Sequence, residues 1–159
     1  MQRTAVTDMI SAVRKWALIM VPLAFTAACS RPAGYCRFMK KGDASQQIYE
    51  FNVSVPDSAT AYDTYAMCRY DAHQYPMTTA VFVVRYVADN GFEMVEQHVI
   101  KAVDAMDAKR NGSIVDLKFR LGEGIKFSRS GEWKVMLEIP NKEFCRAAAG
   151  FGFSMEEKE

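Results

Sequence analysis

Residues 78–100, TTAVFVVRYVADNGFEMVEQHVI, decide the fold class. From Thr78 to Ala88 the run is almost continuously β-branched or aromatic, a composition that packs well on a pleated surface and crowds the preceding turn of a helix. It reads as a central strand covered on both faces. Asp89, Asn90 and Gly91 interrupt it, and Asn-Gly between two strand patterns is the strongest short-range hairpin signal. Phe92 to Ile100 is therefore expected to fold back antiparallel on the first run.

Outward from that hairpin the dominant period is two. On the N-terminal side Tyr49, Phe51, Val53 and Val55 alternate with Glu50, Asn52 and Ser54 until Pro56, Asp57 and Ser58 end the strand. Tyr62, Thr64, Ala66, Cys68 and Tyr70 then share one face, with Asp63, Tyr65, Met67 and Arg69 on the other, so which face is buried is ambiguous. On the C-terminal side residues 102–112 read as a loop, followed by alternation at Val115, Leu117, Phe119 and Leu121 and a separate short strand at 125–127. After an SRSG turn, Trp133, Val135, Leu137 and Ile139 alternate with charged residues until Pro140. KEFCRAAA reads as a short helix or loop. Phe151, Phe153 and Met155 share one side of a last strand, whose alternate glycines leave room for a neighbouring aromatic to lie across the backbone. About eight strands, no long helix and no repeat specify an all-β antiparallel β-sandwich, either immunoglobulin-like or jelly-roll.

The front of the chain carries an address. Arg14 and Lys15 precede an apolar run from Trp16 to Phe25, and Thr26, Ala27 and Ala28 lead to Cys29, the layout of a secretory signal. The run is too short to span a bilayer comfortably. Small residues directly before a cysteine resemble the bacterial lipobox, which implies acylation of Cys29 and cleavage ahead of it, with Thr26 where the commonest lipobox has leucine. Each acyl methylene buried in lipid adds about 0.8 kcal/mol, so several chains on one cysteine anchor durably without any protein span. The expected organisation is a signal peptide over 1–28, a lipidated Cys29 with a flexible tether to 46, and one β-sandwich domain over 47–159. Ser30 in place of aspartate after the cysteine resembles outer-membrane sorting, which implies a protein anchored in the outer membrane and facing the periplasm.

Composition excludes several functions. The chain has 20 Lys and Arg against 19 Asp and Glu, and loss of Arg3, Arg14, Lys15 and Asp8 with the signal leaves 17 against 18. Such neutrality gives no electrostatic case for nucleic acid. With Cys29 assigned to lipid, Cys36, Cys68 and Cys145 remain, and a Cys68–Cys145 disulfide is the pairing expected in an oxidising compartment, with no disulfide as the alternative. None has the CxxC spacing of a metal or redox site, and His73 and His98 are too few for a three-histidine site, so neither metal nor cofactor is expected. Glu96 and His98 have the chemistry for proton transfer, but two such residues on one strand read as a solvated face. No phosphate loop or nucleophile elbow is present, and the chain is expected to be non-catalytic. Tyr62, Tyr65, Tyr70, Tyr75 and Tyr86 are candidates to line a carbohydrate-binding surface, with core packing as the equal alternative.

Taken together, the signal, the Pro56-Asp57 turn, FSRSGEWKVMLEI from Phe127 to Ile139 and the ending AAAGFGFSMEEKE resemble the gliding-motility lipoprotein H family of the Bacteroidetes. The resemblance implies a non-enzymatic envelope lipoprotein, structural or accessory to gliding or the associated secretion machinery, with envelope proteins as partners. Asp57-Ser58-Ala59 also resembles the motif at which these bacteria attach O-glycans, which makes Ser58 a candidate acceptor. The lipid assignment predicts that a fatty-acid analogue labels the wild-type chain in cells and that Cys29→Ala abolishes the label; a chain labelled equally without Cys29 would refute it.

Overall fold

The computed structural model describes residues 34–42 and 46–158; the expected signal peptide and Cys29 lie outside the described residues. In chain order the strands are β1 (Gly34–Lys40), β2 (Ile48–Val55), β3 (Ala61–Asp71), β4 (Thr79–Ala88), β5 (Glu93–Lys101), β6 (Asp107–Asn111), β7 (Ile114–Lys126), β8 (Gly131–Glu138) and β9 (Ala148–Glu157). A 3₁₀ turn at Ala102–Asp104 links β5 to β6, and helix α1 (Lys142–Ala147) links β8 to β9. One sheet has the order β1-β9-β3-β7-β6 and the other β2-β8-β4-β5.

The pairing is concentric and antiparallel throughout: β1 with β9, β2 with β8, β3 with β7 and β4 with β5. The chain is thus one long ribbon whose tip is the turn at Asp89–Gly91, folded so that successive rungs fall on alternate sheets. That order is a jelly roll, with β6 added at one edge. At the tip, Ala88 N–H donates to Phe92 O at 2.9 Å and Gly91 N–H to Ala88 O at 3.0 Å, while Gly91 takes φ +83°. A three-residue loop closed by a left-handed glycine matches the right-handed twist of the strands it joins.

Alternation puts one side of each strand into the core. Tyr49, Phe51, Val53 and Val55 of β2 meet Trp133, Val135 and Leu137 of β8 and Phe82, Val84 and Tyr86 of β4, all buried. From the other sheet come Tyr62, Ala66, Cys68 and Tyr70, with Leu117, Phe119, Phe151, Phe153 and Met155. The ambiguous segment at 61–71 therefore buries its Tyr62–Tyr70 face. Tyr86 Oη donates across the sheets to the buried Thr64 Oγ1 at 3.4 Å. Asn141 caps α1, its Oδ1 accepting from Phe144 N–H at 2.9 Å, and Lys41 Nζ donates to the carbonyls of Cys145 and Arg146 near the helix end at 3.2 and 2.8 Å.

Four expectations are corrected. Residues 34–40, expected within the tether, form β1, because the edge of β9 offers a partner from Gly34 opposite Glu156 to Lys40 opposite Gly150. Residues 107–111, expected in a loop, form β6, a wholly exposed strand that the Gly112-Ser113 turn folds onto β7. The strands expected at 115–121 and 125–127 are one strand, β7, with its pairing to β3 shifted around Thr64 and Gly122. The outer face of β4 is only half covered, since Val81, Val83 and Val87 face outward. Its β-branched residues report strand preference there, not burial.

The expected Cys68–Cys145 disulfide is not formed: Cys36, Cys68 and Cys145 are free thiols. Cys145 Sγ lies 3.5 Å from Ile139 O, within hydrogen-bonding reach, while Cys68 lies on the inward face of β3. Burial pushes the Cys68 thiol up to about 12 and that of Cys145 up to about 11. Both are therefore protonated at neutral pH, when alkylation needs the thiolate. Iodoacetamide at pH 8 is expected to modify Cys36 in the folded chain and to reach Cys68 and Cys145 only in denaturant; rapid native labelling of either buried cysteine would contradict this packing.

Candidate functional site

A groove of about 380 Å³ crosses the outer face of the five-stranded sheet. Its walls come from Phe38 of β1, Met67 and Arg69 of β3, Asp116 and Lys118 of β7, and Asp107 and Lys109 of β6; the position of Phe38 follows from β9. Inward, that strand presents Phe151, Phe153 and Met155; outward, on the intervening positions, it presents Gly150, Gly152 and Ser154. These outward positions are themselves buried, because Phe38 of β1 lies across both glycines and the Met67 side chain of β3 reaches Gly152. A Cβ on Gly150 would stand 2.8 Å from Phe38 Cε1 and one on Gly152 would stand 3.1 Å from Phe38 Cδ2, so only glycine leaves room for the ring. The aromatic packing expected from the alternate glycines is present, and Phe38 keeps 40% of its surface exposed.

Charged side chains from β3 and β7 form the rest of the wall. Arg69 binds Asp116 through two bonds, Nε to Oδ1 at 2.6 Å and Nη2 to Oδ2 at 2.8 Å. The paired fork fixes both planes. Those hydrogen bonds hold the Asp116 carboxyl below the ordinary carboxylate range. The Arg69 guanidinium also lies 5.9 Å from the Phe38 ring centroid. Lys118 Nζ bonds Glu156 Oε1 at 2.7 Å and sits 4.0 Å over the Tyr65 ring. Lys109 and Asp107 of β6 close the far side. Each lining cation is already paired, Arg69 with Asp116, Lys109 with Asp107 at 3.5 Å and Lys118 with Glu156, the last of which stands outside the lining.

The other candidate residues fall elsewhere. Tyr62, Tyr70 and Tyr86 are core residues, so the sugar-lining tyrosine surface is corrected: these rings pack against Phe127 and Phe144. Tyr75 stacks on Phe144 at 5.5 Å, and its hydroxyl accepts from Asn141 Nδ2 at 2.9 Å. Tyr65 faces outward but is almost wholly covered. Glu96 and His98 do meet, with His98 Nε2 3.3 Å from Glu96 Oε2. They occupy the inward side of β5, opposite Val84 and Phe82, and are half-buried rather than on the solvated face expected. No third polar group is bonded to the pair among the described residues. Ser58 lies in the β2–β3 turn, where Asp57 Oδ1 accepts from Ala59 N–H at 2.8 Å. In the Phe127–Trp133 segment the two rings pack at 5.0 Å and Trp133 Nε1 donates to Arg129 O at 3.2 Å, so that pattern is structural. Among the described residues no group of three His, Cys, Asp or Glu side chains is placed to hold a metal, and no helix is long and apolar enough to cross a membrane. The groove residues Phe38, Arg69 and Asp116 carry no sequence motif; only the alternate glycines hinted at them.

No protein-family model matches the chain, and neither does any curated protein. Solved structures similar in fold include a ruminal GH26 endo-β-1,4-mannanase, with TM-score 0.42 and 14% identity over 76% of this chain. Others are CBM28, a carbohydrate-binding module specific for non-crystalline cellulose (TM-score 0.39, 9% identity, 78% of this chain and 73% of that one), and a protein of Sulfurospirillum deleyianum (0.37, 10%, 81% and 99%). The chain spans 21% of the mannanase and 10% of tripeptidyl peptidase 2, another similar structure. These scores carry no functional inference.

The seating of Phe38 yields a stability prediction. Gly150→Ala, which drives a methyl into Phe38 and the Met39 carbonyl, is expected to cost about 1–3 kcal/mol in urea unfolding. An unchanged midpoint would show that Phe38 does not rest there.

Proposed function

We propose that this chain is a non-catalytic, lipid-anchored envelope protein whose sandwich is a binding module, and that the groove between Phe38 and the Arg69–Asp116 pair takes a neutral glycan. One observation carries the reading: a half-exposed aromatic ring, Phe38, lies across Gly150 and Gly152 beside the bidentate Arg69–Asp116 pair. Sugar rings present an apolar face of C–H groups and a rim of adjacent hydroxyls. The first packs on an aromatic, and the second matches the spacing of planar guanidinium and carboxylate groups. Arg69, Lys109 and Lys118 are each engaged by a carboxylate, which favours an uncharged ligand over an anionic one that would have to compete for them. The ring and the fork are already held by glycines and by each other, so little order is lost on binding.

On this reading the wider role implied by the resemblance, accessory to gliding or the associated secretion machinery, is that of an anchored adaptor. Binding to a glycan array is expected for the wild-type chain. Phe38→Ala and Arg69→Ala are each expected to weaken binding at least about tenfold, or about 1.4 kcal/mol. A flat array, or binding indifferent to Phe38→Ala, would remove the glycan from this groove.

A further inference from the structure

Strand β5 closes the four-stranded sheet on one side, and its outer edge is unpaired among the described residues. Its orientation follows from the ladder to β4. Ala102 N–H donates to Thr78 O at 2.8 Å and Ala88 N–H to Phe92 O at 2.9 Å, so the even-numbered residues turn their backbone groups toward β4. Glu93, Val95, Gln97, Val99 and Lys101 turn theirs outward. An open edge of nine residues without proline or bulge is a template for another strand. The other three edges differ in what they offer: β6 is five residues, all exposed and three of them charged, the positions of β1 that turn away from β9 are Gly34, Cys36, Phe38 and Lys40, and those of β2 that turn away from β8 are Ile48, Glu50, Asn52 and Ser54.

The sequence of β5 is complementary to itself when reversed. About a two-fold axis at Gln97, antiparallel pairing sets Glu93 against Lys101 and Val95 against Val99. It also sets Glu96 against His98 and Met94 against Ile100. The outward-bonding residues meet one another, as the ladder requires. Val95 and Val99, 50% and 65% exposed, cover each other on the outer face. Neighbouring registers lose this match. A shift one way opposes Glu96 to Glu96 and Glu93 to Val99; a shift the other way opposes His98 to His98 and Val95 to Lys101. Like charges directly opposite destabilise a pair, whereas opposite charges and β-branched pairs stabilise it.

We propose that β5 is a homodimer interface, in which two copies of this chain pair their β5 strands antiparallel about Gln97 and join two four-stranded sheets into one. Each Glu96 then meets a second His98, that of the other copy, in addition to its own at 3.3 Å. A strand-addition dimer of this kind draws its affinity from main-chain bonds and its register from the side-chain pairs.

The test is site-specific cross-linking of the full chain in cells, in a Cys36→Ser background, with linked peptides identified by mass spectrometry. Cα atoms opposed in a hydrogen-bonded pair lie about 5.5 Å apart, within disulfide reach, so Gln97→Cys is expected to link to itself. Val95→Cys alone is expected not to, since two copies of residue 95 would be offset by about 13 Å along the strands. Co-expressed Val95→Cys and Val99→Cys chains are expected to link to each other. Adding Glu93→Lys to Gln97→Cys is expected to lower the yield at least tenfold, and adding Lys101→Glu as well to restore it. These side chains lie on the outer, solvent-facing side, so each variant keeps the core. Absence of the 97–97 link, equal linkage at 95, or a yield indifferent to both charge changes would overturn the proposal.

Discussion

The two sheets are held face to face by Phe153. Its ring is fully buried and packs at 6.3 Å on Tyr35 of β1, 6.0 Å on Phe51 of β2 and 6.3 Å on Tyr86 of β4. Burial of a phenylalanine contributes about 1.5–3 kcal/mol, and edge-to-face contacts add to it. One side chain near the C-terminus therefore ties together three strands, two of them in the first third of the chain. The Tyr49–Phe151 and Phe144–Phe151 contacts, at 5.1 and 5.3 Å, extend the same layer toward α1.

The constraint that builds the core also seats one wall of the groove. Successive residues of a strand point to opposite faces, so the large residues at 151, 153 and 155 leave 150, 152 and 154 for the outside. There the chain has Gly, Gly and Ser. Phe38 covers the glycines, the Arg69 guanidinium stands 5.9 Å from the Phe38 ring centroid, and Asp116 fixes Arg69. Each member is positioned by the one beneath it, down to a backbone that cannot carry a side chain. A site assembled in this way depends on strands from both ends and the middle of the chain and leaves no contiguous motif.

Legibility in the sequence follows burial asymmetry. Strands β2, β8 and β9 have one dry and one wet face, and their alternation is plain at Tyr49–Val55, Trp133–Ile139 and Phe151–Met155. Strands β1 and β6 are mostly exposed and show no alternation, since nothing selects apolar residues on either face. Glu96 and His98 misled for a related reason. They sit on the inward side of an edge strand, where the sandwich opens to water and charge is tolerated. The tyrosines at 62, 70 and 86 suit a sugar platform and a core alike, and only their direction separates the two.

What the sequence by itself determined was the all-β class, the Asn90-Gly91 hairpin and most of the inward-facing residues, because turn chemistry and two-residue periodicity act between near neighbours. Only the tertiary structure decided that the ribbon is a jelly roll and that residues 34–40 are a strand. It alone decided that Cys68 and Cys145 stay apart as thiols, and that Phe38, Arg69 and Asp116 share one groove. Each of these depends on pairings such as Gly34 with Glu156 or Arg69 with Asp116, between residues far apart along the chain. Such pairings are set by which folded surface offers the best partner, and no local pattern encodes that.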